Sequence, residues 1–159
     1  MENKEFTITA DLLASRAQRF LNFIMDFLIV YIIWISLGTT VIIIGEITSI
    51  YALSNWAEST TTNEKLVFWL VIMFLYYFLT EMYFSRTFAK YFSKTIVVTK
   101  DGTKPGFNAL LKRTLSRFIP LECLTFLGSN ARGLHDLSSE TYVVKKHKFN
   151  KKKGVVLFP

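Results

Sequence analysis

Residues 16–37, RAQRFLNFIMDFLIVYIIWISL, turn almost wholly apolar at Phe20, yet carry a carboxylate at Asp26. The apolar run continues to Ile44, and Asp26 is its only charged side chain. A helix needs about 20 apolar residues to cross the hydrocarbon of a bilayer. Residues 20–44 exceed that length, which leaves room for tilt. A second run, residues 66–84, is just long enough to span and holds one charged group, Glu81. The pattern predicts an α-helical membrane protein with two transmembrane helices in an antiparallel hairpin.

Composition agrees. Of 159 residues, 51% are hydrophobic, 15 are Phe, and the net charge is +7. A basic balance also suits nucleic-acid binding. Such a protein has no use for long uncharged apolar runs, so nucleic acid is not an expected partner. The single Cys123 excludes a disulfide within the chain, and no zinc-ligand spacing is present. No metal or cofactor is expected. The N-terminal MENKEFTITADLLASRAQRF places Glu2, Glu5 and Asp11 ahead of the apolar run. That is unlike a signal peptide, and the first run is expected to remain as an anchor.

Charge asymmetry predicts the orientation. The connection GEITSIYALSNWAESTTTNEK, residues 45–65, has Glu46, Glu58 and Glu64 and no basic residue before Lys65. Lys4, Arg16 and Arg19 precede the first run, and Arg86, Lys90, Lys94, Lys100, Lys104, Lys112, Arg113 and Arg117 follow the second. Short loops rich in Lys and Arg stay in the cytoplasm. Both termini are therefore expected inside and the acidic connection outside, with Tyr51 and Trp56 in the outer interfacial belt or packed within the loop. A third apolar patch, FIPLECLTFLG at residues 118–128, is too short to span and holds Pro120 and Glu122. It reads as a re-entrant or interfacial segment.

Residues 86–144 read as a small module on the cytoplasmic face. TIVVTKDGTKPGF, residues 95–107, opens with β-branched side chains and contains an Asp101-Gly102 turn signal. TYVVKK, residues 141–146, is a second short strand, and the two are expected to pair as a ribbon. Between them NALLKRTLSRF, residues 108–118, sets Leu110, Leu111, Leu115 and Phe118 on one face and Lys112, Arg113 and Arg117 on another. That amphipathic helix suits anionic lipid headgroups or packing against the ribbon. Residues 145–159 read as a flexible basic tail. The whole chain is expected to be a single membrane domain.

The charges inside the spans form a pattern. Arg19 and Asp26 are seven residues apart, which returns to nearly the same helix face about 10.5 Å farther along the axis. Asn22 lies on that face, so a polar stripe climbs the first helix. Glu81 precedes Arg86 by five residues, at a depth similar to that of Asp26. Charge inside a membrane is costly unless it is paired, protonated or hydrated. Three uses are open: a structural clamp with cations such as Arg16, Arg19, Arg86 and Lys90, an ion or proton site at Asp26 and Glu81, or a polar face recognised by another membrane subunit.

These residues resemble the RDD family of small bacterial membrane proteins. Arg19, Asp26 and Asp136 match its polar positions. RGLHDLSSETYVV, residues 132–144, is similar to the family's LHDL segment and following strand. RTFAKYFSKTIVVTKDGTKPGFNALLKR, residues 86–113, matches at Thr87, Lys90, Val97, Val98, Asp101, Gly102, Pro105, Phe107 and Arg113. Ala89, Lys94 and Glu140 stand where the family often has glycine. The resemblance, over residues 14–144, implies a bacterial inner-membrane protein. It also implies links to transport, including sodium–proton exchange, or to an accessory role. From the residues alone, His135 and Asp136 are expected either to cap the next turn or to bridge to Arg113 or Arg117, and an ordinary His135 would titrate near neutral pH.

Enzyme chemistry is not expected, because the chain has no phosphate-binding glycine loop, nucleophile elbow or HExxH. The functional readings are a subunit or scaffold of a membrane complex, a homo-oligomeric cation–proton exchanger using Asp26 and Glu81, and a protein that binds anionic lipid headgroups.

Overall fold

The computed structural model describes residues 6–119 and 132–154. The elements in chain order are α1 (Arg16–Ile47), α2 (Tyr51–Ser59), α3 (Thr62–Phe84), α4 (Phe88–Phe92), β1 (Thr95–Thr99), α5 (Phe107–Ser116), α6 (Leu134–Ser138), β2 (Thr141–Lys145) and α7 (Lys146–Lys153). Most of the patch at residues 118–128, with Pro120, Glu122 and Cys123, lies outside the described residues, as does the end of the basic tail.

Both long helices begin before their apolar runs, for the same local reason. At α1 the Ser15 hydroxyl accepts from the Gln18 amide at 3.2 Å, and the Gln18 side chain accepts from the Ser15 amide at 3.0 Å. Thr61 and Glu64 do the same at α3, at 3.4 and 2.8 Å. Each is a capping box that satisfies amides left over at a helix start. The most apolar windows of α1 and α3 are only 6% and 17% buried. A core helix of a soluble protein would be mostly covered, so these are two helices with the length, composition and exposed apolar surface to cross a membrane.

The chain forms two compact units, one of residues up to Asp26 together with those from Tyr77 onward, the other of Phe27–Tyr76. In the second unit Phe27 meets Trp69 edge-on at 5.8 Å, and Trp56 meets Phe68 at 5.7 Å. The acidic connection is a helix, α2, held close to α1: a Cβ on Gly45 would lie 2.8 Å from the Ser54 nitrogen.

The first unit is built on the expected ribbon. β1 and β2 pair antiparallel, with Ile96 opposite Val144 and Val97 opposite Val143. Strand side chains alternate between two faces. One face carries Ile96, Val98 and Val144, which pack with Leu12 and Phe149 into the core. The other carries Val97 and Val143, packed with Ala14, and Thr95 and Thr141.

Two expectations are corrected here. The basic segment after β2 is not a flexible tail: residues 146–153 are helical, and Phe149 of α7 is fully buried on the ribbon core. The Lys stems surround a helix pinned by one aromatic ring. In α5 the buried face takes in Leu110, as expected, but is turned toward the basic side rather than centred on the leucines. Arg113 is 0% exposed while Leu115 is 53% exposed, so Arg113 turns inward and cannot meet lipid headgroups. The reason is the counter-charge waiting inside, described below.

Lys94 and Glu140, each immediately before a strand, have φ of 54° and 52°. This left-handed region suits glycine and costs other residues about 1–2 kcal/mol, which accounts for glycine at these positions in the resembling family. Lys94→Gly and Glu140→Gly are each expected to raise stability by roughly 0.5–1 kcal/mol, after glycine's extra unfolded-state entropy is subtracted. Thermal unfolding in detergent reads the change; a lowered midpoint would contradict it.

Candidate functional site

The polar stripe of α1 is buried, and each member fastens a different element of the first unit. Asp26 accepts from the Thr87 hydroxyl at 2.7 Å and the Ala89 amide at 3.3 Å. Thr87 is also the N-cap of α4, so Asp26 locks α1 to the start of that helix. Asn22 donates to the Thr95 hydroxyl of β1 at 3.2 Å. Arg19 donates to the Val143 carbonyl of β2 at 3.4 Å and to the Asp136 carboxylate of α6. Arg19 thus pairs with Asp136 rather than with Asp26.

Glu81, fully buried near the end of α3, is ringed by cations. Lys90 Nζ lies 2.5 Å from it, Arg113 Nε 2.8 Å and Arg117 Nη2 3.0 Å. Arg113 joins this cluster to the next, because its Nη1 donates to Asp136 and, at 2.7 Å, to the Thr141 hydroxyl. Asp136 therefore accepts from two guanidinium groups, with His135 Nε2 at 3.3 Å. Of the candidate cations, Lys90, Arg113 and Arg117 converge on Glu81. Arg16 is exposed on the first turn of α1, and Arg86 stacks 4.7 Å over the Tyr91 ring. Lys90, paired with Glu81, lines the same small cavity as Asp26.

Three contributors escaped the sequence reading. Thr95 and Thr141 are the network-facing hydroxyls of the ribbon, a role their alternation with Val97 and Val143 signals. Arg132 donates to the carbonyls of Asp136 and Thr141, both at 3.2 Å, and covers Tyr142 at 4.0 Å. Its signal was only its place ahead of the LHDL segment.

The electrostatics follow from burial and company. Burial pushes the Asp136 carboxyl up, but Arg113 foremost, then His135 and Arg19, hold it well below the ordinary carboxylate value. Burial and Arg113 push His135 down from its ordinary value. Its charging is thereby moved toward more acidic pH than that of an ordinary imidazole. Burial, opposed chiefly by Glu81, brings Lys90 down to about 8. Below about pH 8 this ammonium is charged in the folded and unfolded chain alike. Between there and the ordinary value of 10.5 the unfolded chain holds a proton that the folded one has released. Stability therefore rises with pH across that window, by up to about 3 kcal/mol from this group. Lys90→Met is expected to lose that component; denaturant unfolding of both proteins from pH 7.5 to 10.5 measures it, and parallel curves would contradict it.

Arg19, Asn22, Asp26, Lys90, Arg117 and His135 also line a cavity of about 20 Å³, the room one water molecule takes. Among the described residues no group of three His, Cys, Asp or Glu is placed to hold a metal ion.

Two helices long and apolar enough to cross a membrane, with a small ribbon-based unit, are consistent with a helical membrane protein. The family model for the RDD family matches residues 13–140, and the chain belongs to that family. No curated protein and no solved structure matches it.

Proposed function

We propose that the protein is a non-enzymatic subunit or scaffold of a membrane complex, in the bacterial inner membrane with both termini cytoplasmic. The observation that carries this reading is the state of the three buried carboxylates. Asp26, Glu81 and Asp136 each accept from two or more donors of their own chain, and each bond ties a long helix to the module or one part of the module to another. A transport site must exchange its ligands, whereas these carboxylates are held as structural clamps. The wide apolar faces of α1 and α3 are left to meet lipid and partner helices. The excess of Lys and Arg on the flanks supports the cytoplasmic placement of the module.

The rival reading is a homo-oligomeric cation–proton exchanger at Asp26 and Glu81. It rests on Asp26 lining the same small cavity as Lys90, the ammonium paired with Glu81. Native mass spectrometry of the protein extracted gently from its own membrane separates the two. A stoichiometric complex with a different membrane protein is expected. A homo-oligomer with no other subunit would overturn the scaffold reading.

A further inference from the structure

We infer that the small cavity beside Asn22 binds one ordered water molecule, which donates to the Asn22 side-chain oxygen and to Asp26 and accepts from Lys90. The water joins the Asp26 lock to the cations around Glu81. The inference does not depend on the scaffold reading and goes beyond it in assigning a bound molecule and its partners.

Two independent observations meet at this site. The first is an unmatched polar atom. Asn22 is 4% exposed, and its Nδ2 donates to Thr95. Its Oδ1 is buried with no hydrogen-bond partner among the described residues. A buried amide oxygen without a donor is costly, and such atoms are nearly always matched by protein or by water. Turning the amide over does not remove the mismatch, because the NH2 end would then be the one without a partner. The second observation is room. The cavity that Asn22 borders is about 20 Å³, enough for one water and too small for a metabolite or a lipid headgroup.

The lining selects the occupant by its chemistry. Arg19, Lys90 and Arg117 are cations, and Asp26 is a carboxylate. A metal cation would meet three like charges. A halide would meet the Asp26 carboxylate and the Asn22 oxygen. A water both donates and accepts, so it suits both kinds of neighbour, and buried waters make about three hydrogen bonds. Lys90 is the donor the geometry favours. An ammonium has three N–H donors, and the bond to Glu81 at 2.5 Å uses one. Arg19, by contrast, is spent on Asp136 and on the carbonyls of Ala14 and Val143. With the water in place α1 is tied to α4 twice, directly from Asp26 to Thr87 and Ala89, and through the water to Lys90.

The test is a crystal structure of the full chain at a resolution that shows ordered water. Parallel crystals in bromide and in rubidium salts provide heavy stand-ins for a halide and for a metal cation. One peak is expected within hydrogen-bond reach of Asn22 Oδ1, Asp26 and Lys90 Nζ, with no anomalous signal from either ion. Asn22→Leu is expected to lose the peak. Asn22→Asp, which keeps an acceptor oxygen, is expected to retain it. If Asn22→Leu does not fold, the wild-type maps decide alone. A wild-type map that shows water elsewhere but no peak here overturns the inference, as does an Asn22 oxygen bonded to a protein donor instead. A bromide or rubidium peak at the site overturns it by assigning the cavity to an ion. So does a peak that Asn22→Leu leaves in place. None of these outcomes bears on subunit composition, which native mass spectrometry reads separately.

Discussion

Arg113→Met is expected to destabilise the protein by about 3–5 kcal/mol, the range for breaking a buried ion pair. Met roughly fills the volume but carries no charge. Arg113 is wholly buried, and one guanidinium serves Glu81, Asp136 and Thr141. Its loss leaves Asp136 with Arg19 and His135, and Glu81 with Lys90 and Arg117. Arg113→Lys is expected to rescue little, because a single ammonium lacks the planar fork that reaches two carboxylates. At this chain length the loss amounts to roughly 10 °C in unfolding midpoint, measurable by thermal unfolding in detergent. A shift of a degree or two would mean that the network is incidental. The same cluster gives the acid limb of the stability curve. Asp136 is depressed in the folded state, so its contribution is present above the ordinary carboxylate value and is lost as pH falls below it. His135, held neutral, adds a loss of the same sign as the unfolded chain takes up a proton first.

Glu81→Gln is expected to cost about as much, for the opposite reason: it strands cations. Lys90, Arg113 and Arg117 would surround a neutral amide. Adding Lys90→Met to Glu81→Gln removes one stranded charge and is expected to recover part of the loss. The double-mutant cycle should show a coupling of about 1–3 kcal/mol. Simple additivity of the two substitutions would deny that they act on one another.

How much of this was legible in the sequence depended on whether a pattern was local. The two long apolar helices followed from apolar length. The ribbon followed from the β-branched runs at 95–99 and 141–145, and the stripe of Arg19, Asn22 and Asp26 from helical spacing. The stripe's partners were not legible. Arg19 and Asp26 invite pairing on paper, yet seven residues of helix hold them about 10.5 Å apart along the axis. Each therefore had to find a partner on another element. The burial of Arg113 in α5 has a similar origin. Spacing separates Leu115 from Arg113 but does not say which face is buried. Here Glu81, 32 residues away, and Asp136, 23 residues away, supply the counter-charge that draws Arg113 in. The helix after β2 was hidden by composition, because a lysine-rich segment reads as solvated. Phe149 alone gives it something to bury.

The most direct test of the clamp reading is sodium-driven proton flux in liposomes holding the full-length protein at known orientation. The account predicts flux no greater than in empty liposomes, while Asp26→Asn, which weakens the bonds to Thr87 and Ala89, lowers the unfolding midpoint. Flux that appears with the wild type and vanishes in an Asp26→Asn protein of unchanged stability and assembly would contradict it, and would make Asp26 an ion site rather than a clamp.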